Sequence, residues 1–322
     1  MLRMLKRAGA GRVLVVGSAN MDILLHVDHL PIPGETVGGG VLNYAFGGKG
    51  ANQAVASSRF AATSFIASIG SDDNGMQMLK SWQTDGINTA GVLQTDRYPT
   101  GTALIMVDDK GANFIGVAPG ANQELHEHSV HVAVSRIPLP DVILFQAEIE
   151  RATVQYLANG MIPGDPLLIF NYAPVAAPAL EDLRGIGVLV VNETEAGDLT
   201  SSRLESKSAI ERAARHLRAK GPSVVVITMG DQGLVAATED QLLYQMAPPI
   251  TPVDTTGAGD VFCGTLAASL AMQHELPEAL TLAQCAAALS ATRQGAQTSI
   301  GTAAEVREFR STLRHGLPIV IT

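Results

Sequence analysis

The stretch TPVDTTGAGDVFCG, Thr251 to Gly264, joins a run of small residues to an apolar, Ala-rich segment. Val261, Phe262, Leu266 and Leu270 recur at helical spacing, so a helix is expected to start at or just after the glycines. A Gly-rich turn feeding a helix N-terminus presents unpaired backbone N–H groups and the positive end of the helix dipole. Such a turn is an anion site, and phosphate is its usual guest. Asp260 follows the turn directly. Its carboxylate could serve as a base beside a phosphate cradle or could cap the helix; the stretch alone leaves both open.

Outward from that turn the chain alternates in period. Arg12 to Ser18, Ser64 to Gly70, Val142 to Gln146, Leu167 to Asn171, Gly187 to Val191 and Ser223 to Met229 are short apolar runs that read as buried strands. Helical patterns separate them at Ala51 to Arg59, Asn74 to Asp85 and Ser206 to Lys220, with Val261 to Met272 and Pro277 to Arg293 after Asp260. This order implies βαβ units in a doubly wound, mainly parallel α/β sheet with flanking helices. No linker interrupts it, so residues 1–322 are expected to form one domain. Two regions differ in kind. Residues 23–46 are punctuated by Pro31, Pro33 and Gly34, and residues 100–117 flank the hairpin signal Asp108-Asp109-Lys110-Gly111. Together they are expected to pair into a small β-sheet lid.

Composition narrows the function classes. The 322 residues are 46% hydrophobic and 16% charged, which suits a sizeable core. A formal charge of −9 argues against nucleic acid or an anionic membrane surface as partner. The N-terminal segment starts basic, but the apolar run Val13 to Val16 is too short for a signal peptide, and no stretch is long enough to span a membrane. Cys263 and Cys285 lack any paired spacing and read as buried free thiols in a reducing cytoplasm. His126, His128 and His131 offer no consistent zinc geometry, and an exposed helix is the expected reading there.

Ligands of doubly wound sheets sit outside the carboxyl ends of the strands. Asn20, Glu148, Asn171, Glu195 and Gly230 all fall just past expected strand ends. In an extended Asn20-Met21-Asp22 the amide and the carboxylate point the same way, as suits two neighbouring sugar hydroxyls; an Asx turn is the alternative. Phe46 to Gln53, FGGKGANQ, fails the P-loop pattern because Gly50 stands where Ser or Thr is needed. It reads as a second Gly-rich helix start, or as a backbone crossing that requires glycine.

These stretches together resemble the ribokinase-like family of ATP-dependent sugar kinases, from Val13 to about Phe309. The similarity is carried by GGKGANQA (Gly47 to Ala54) and DTTGAGDVFCG (Asp254 to Gly264). It is supported by GSANMD (Gly17 to Asp22), PGETV (Pro33 to Val37), NETEA (Asn192 to Ala196), TMGDQG (Thr228 to Gly233) and TRQGAQTS (Thr292 to Ser299). The resemblance implies phosphoryl transfer from ATP to the primary hydroxyl of a pentose, D-ribose O5 foremost. Another small sugar or nucleoside (deoxyribose, fructose, adenosine), or a silent sugar-binding regulator, is the alternative. It implies Asp260 as base, with the amides of Gly257, Ala258 and Gly259 as anion hole. Asn20, Asp22, Gly48, Lys49, Asn52 and Glu148 match sugar contacts; Asn192, Thr228, Gly230 and Gly233 match the nucleotide side. Magnesium would be organised through water by Asn192 and Glu195. Asp254, Thr256, Ser290, Arg293, Gly295 and Ser299 match a potassium loop, and the lid would mediate a homodimer. Two departures stand out: Tyr172 in Asn171-Tyr172-Ala173-Pro174 could reshape the wall near the phosphates, and Gln284 stands where relatives differ near the adenine.

Overall fold

Val13 to Val16 are each at most 1% exposed, as expected of a strand covered on both faces. They lie in a computed structural model that describes residues 11–175, 183–313 and 319–321. The basic residues Arg3, Lys6 and Arg7 of the N-terminal reading fall outside these. The main sheet runs Ala62–Ile66, Arg12–Val16, Val142–Gln146, Leu167–Asn171, Val188–Asn192, Val224–Thr228, all parallel. Leu234–Ala237, Leu242–Gln245 and Ile319–Ile321 then extend it antiparallel.

Alternate side chains divide the core in two. Val13 and Val15 face the helices Lys49–Ser58, Ala258–Ala271 and Leu276–Ala291. Leu14 and Val16 face Arg151–Ala158 and Lys207–Ala219. Each fully buried Leu, Ile or Phe contributes about 1.5–3 kcal/mol. Lys207–Ala219 buries Ile210, Ala213, Ala214 and Leu217, and the Ser206 hydroxyl accepts from Ala209 N at its start. Ala258–Ala271 is buried on every face from Asp260 to Ala271, including the hydroxyl residues Thr265 and Ser269. Among the described residues no helix is long and apolar enough to cross a membrane.

The expected strand Ser64 to Gly70 is two strands. Ala62–Ile66 belongs to the main sheet, while Ser68–Gly70 leaves it and pairs with Leu93–Thr95. The second sheet has the order Val41–Gly47, Asn20–Val27, Gly101–Asp108, Asn113–Ala118. Its first strand begins at Asn20 and not near 23, because Asn20 already pairs with Gly47 on one side and Gly101 on the other. This small sheet therefore carries Asn20 and Asp22 itself. At its far hairpin the Asp108 carboxylate accepts from Lys110 N and Ala112 N, each at 2.9 Å.

Candidate active site

Gly257 caps the helix Ala258–Ala271 from a left-handed conformation, φ 76°, which a side chain would strain. Gly257, Gly259, Asp260 and Lys49 border a cavity of about 140 Å³, together with Asn192 and Thr228. Of the three amides expected to line an anion hole, that of Ala258 donates to Thr255 O at 3.2 Å. The Ala258 amide is thus engaged within the turn itself.

Asp260 is the third helical residue and caps nothing. Its Oδ2 accepts from Asn52 Nδ2 and its Oδ1 from Gln53 Nε2, each at 3.0 Å. The capping alternative is thereby excluded. Burial pushes the Asp260 carboxyl up from its ordinary pKa, while the Lys49 ammonium and the bond from Asn52 pull it back.

The second Gly-rich turn is a close backbone crossing. A Cβ on Gly50 would lie 2.5 Å from the carbonyl carbon of Gly17, and Gly48 meets Ala19 almost as tightly. Glycine brings the start of Lys49–Ser58 under the first strand, and the polar groups follow. Glu148 Oε2 accepts from Lys49 N at 3.0 Å and from Ser18 Oγ at 2.5 Å. The Lys49 ammonium is stabilised chiefly by the charge of Asp260, then by Glu148, and its pKa rises despite burial.

Asn20 is buried, and its Oδ1 accepts from Asn122 Nδ2 at 2.8 Å. That bond replaces the Asx turn considered from sequence, and it leaves the Asn20 N–H₂ as the free end of the amide. Asp22 lies on Gly47, where any side chain would collide with its carboxylate. Burial, then the charges of Glu148 and Asp260, push its pKa up to about 7. Asp22, Lys49, Asn52 and Glu148 are thus linked to Asp260 by a hydrogen bond or by charge.

Asn192 and Thr228 are neighbours on adjacent strands. Asn192 Oδ1 accepts from Glu195 N, and Glu195 Oε2 accepts from Asn192 N, each at 2.8 Å, forming a capping box. Burial raises the Glu195 pKa against the Asn192 bond and Lys49. Gly230 and Gly233 belong to the turn after Thr228; Gly233 packs on the carbonyl of Gln245 and so has a packing reason of its own. Gln284 is buried in Leu276–Ala291 and does not border the cavity.

The residues matched to a cation loop converge. Asp254 Oδ1 accepts from Thr256 N and Oδ2 from Gly295 N, each at 2.9 Å. Burial raises the Asp254 pKa, but these bonds outweigh it and hold the carboxyl below its ordinary range. Ser290 and Ser299 turn their hydroxyls onto Ala287 O and Ala296 O. The Arg293 guanidinium is bound to Glu305 at 2.6 Å, and its backbone N–H donates to Ser290 O. Asp254 thus ties the Gly-rich turn at Thr256 to the turn at Gly295.

Tyr172 departs from expectation. Its ring packs edge-on to Phe170 in the core on the far side of the sheet, and Asn171 and Ala173 face the cavity instead. Strand parity is the reason. His126 bonds Glu150 and His131 bonds Tyr156 on the surface. Two polar residues at the site had no assigned role from sequence: Gln53, quoted only as part of its motif, and Asn122, which no local pattern marks.

A family model described as pfkB family carbohydrate kinase matches residues 10–303. The ribokinase of Haemophilus influenzae is 35% identical over 296 residues, covering 92% of this chain and 97% of that protein. The deoxyribokinase of Salmonella typhi is 31% identical over 309 residues, covering 93% and 98%. Among solved structures, the ribokinase of Thermotoga maritima has a TM-score of 0.84 at 34% identity, covering 92% of this chain and 98% of its own. A ribokinase of Arabidopsis thaliana, solved in complex with ribose and ATP, has a TM-score of 0.83 at 27% identity over 92% and 98%. By motif, fold and similarity along nearly its whole length, the chain belongs to the pfkB family of carbohydrate kinases.

Proposed function

We propose that the protein is an ATP-dependent ribokinase that transfers the γ-phosphoryl group to O5 of D-ribose. The observation that carries this reading is the placement of Asp260: a buried carboxylate at a Gly-rich helix start, bordering one cavity with Gly257, Gly259 and Lys49. Asp260 accepts the proton of the sugar hydroxyl as the O–P bond forms, a task that needs only an ionised carboxylate within reach. The N–H groups of Gly257 and Gly259, with Lys49, face the charge that develops on the transferred group. Asn20 donates and Asp22 accepts, a pattern suited to adjacent ring hydroxyls, with Gly48, Asn52 and Glu148 completing the sugar side. Asn192, Thr228, Gly230 and Gly233 serve the nucleotide, and Gln284 the adenine end.

Magnesium, when bound with ATP, neutralises phosphate charge; Glu195 and Asn192 are the residues that would hold its water shell. Asp254, Thr256, Ser290, Arg293, Gly295 and Ser299 would hold potassium behind the anion hole. The lid supplies a dimer contact. Its register sets Tyr44, Ile23 and Leu104 in one row and Leu42, Leu25, Met106 and Phe114 in the next, on the face opposite Asp22. Tyr44, Leu104 and Phe114 are each more than half exposed there. An apolar patch of this kind suits a homodimer, and we place the protein in the cytoplasm.

The deciding experiment is ADP release with ATP, magnesium and potassium, comparing D-ribose with 2-deoxyribose, fructose and adenosine. Ribose should support the highest kcat/KM. The deoxyribokinase similarity makes 2-deoxyribose the second reading; a preference for it would overturn the substrate and leave the reaction. Tight ribose binding without turnover would replace the kinase by a sugar-binding regulator.

A further inference from the structure

Gln53 is fully buried, as is Gln146, so neither side chain has any surface for a substrate. Gln53 nonetheless touches the base. Its Nε2 donates to Asp260 Oδ1 and to Asn171 Oδ1, each at 3.0 Å, which uses both of its N–H bonds. Its Oε1 accepts from Gln146 Nε2 at 2.6 Å. Asn171 is oriented in turn by donating to Val190 O at 3.3 Å. A flipped Gln53 amide would set oxygen against the Asp260 carboxylate and nitrogen against the nitrogen of Gln146. The amide has one sustainable orientation, and it points a donor at Asp260.

We propose that Gln53, anchored by Gln146, is a positioning residue that aims the Asp260 carboxylate and keeps it ionised in its buried site. The inference rests on Asp260 being the base. Donation to a carboxylate favours the charged form and opposes the desolvation of the site. Lys49 acts in the same direction, while Glu148, Glu195 and Asp22 face Asp260 as like charges and Cys263 lies one turn along its helix. Against three carboxylates and one ammonium, a fixed neutral donor adds stabilisation without adding charge.

The test is the pH dependence of kcat at saturating ribose, where Asp22 is engaged by sugar, for the wild type, Asp260→Asn, Gln53→Met and Gln146→Met. Asp260→Asn should lose the acidic limb and turn over roughly 10²–10⁴-fold more slowly. In Gln53→Met the limb should move to higher pH. Turnover should fall roughly tenfold on the acidic side, the equivalent of one hydrogen bond to a charged group, and recover on the alkaline side. Gln146→Met should move the limb the same way by less, because the Gln53 donor remains but loses its anchor. A limb lost in Asp260→Asn yet unmoved in Gln53→Met overturns the proposal alone, as does a loss uniform across pH. A limb that survives in Asp260→Asn removes the base assignment, and the proposal with it. Should Gln53→Met fail to fold, an unmoved limb in Gln146→Met overturns the proposal.

Discussion

Asn122 Nδ2 donates to Asn20 Oδ1 at 2.8 Å, joining residues 102 apart in the chain. Asn122 also grips the backbone on either side: Ala19 N donates to its Oδ1 and its Nδ2 reaches Ala19 O. The short 3-10 helix Gly120–Glu124 thus fixes which end of the Asn20 amide stays free of Asn122. Asn122→Ala should raise KM for the sugar roughly tenfold, the usual worth of an oriented hydrogen bond lost at a buried site, and leave kcat within about threefold. Steady-state kinetics at fixed ATP checks this; a fall confined to kcat would mean that Asn20 does not bind substrate.

Asp22 makes ligand-free stability depend on pH. Its native pKa is raised from the ordinary carboxyl value of 3.8 to about 7 by burial and by the charges of Glu148 and Asp260. Between those values the folded state holds a proton that the unfolded chain has released. The resulting stabilisation is complete below the lower value and is lost as pH rises through the higher one. The melting temperature of the wild type should therefore fall, relative to that of Asp22→Asn, across this window. Parallel melting curves for the two proteins would show that Asp22 titrates normally.

Asp254 joins the Gly-rich turn to the turn after Leu276–Ala291, through Thr256 on one side and Gly295 on the other. On the proposed reading, a cation held between these turns would order the anion hole from behind without touching substrate. Turnover should rise with potassium and fall when a bulky organic cation replaces it, and Asp254→Ala should abolish the difference. Equal rates in both salts would remove the cation from the scheme.

The apolar outer face of the lid predicts association. Leu104 is 57% exposed in the middle strands of that sheet. Placing a charge in the centre of an apolar contact carries a large desolvation cost. Leu104→Lys should shift sedimentation from dimer to monomer, with the fold retained by circular dichroism. A wild type that sediments as a monomer at all concentrations would rule out the lid contact.

What the amino-acid sequence determined by itself is what neighbours along the chain can encode. Apolar period distinguishes strand from helix, so the doubly wound sheet, the small two-part sheet and the helix that starts at the glycines Gly257 and Gly259 were legible without coordinates. The TTGAG turn ahead of Asp260 was legible for the same reason, because a helix start is a local event. Partners far apart in sequence were not. Whether Asp260 caps its own helix or receives Asn52 and Gln53 depends on how Lys49–Ser58 packs against Ala258–Ala271. Tyr172 reads as cavity wall until the register turns it into the core beside Phe170. Asn122 has no local signature, since its role exists only where its loop meets Asn20. Tertiary structure alone decides such pairings, because a hydrogen bond depends on distance in space and the chain specifies that distance only once its elements have packed.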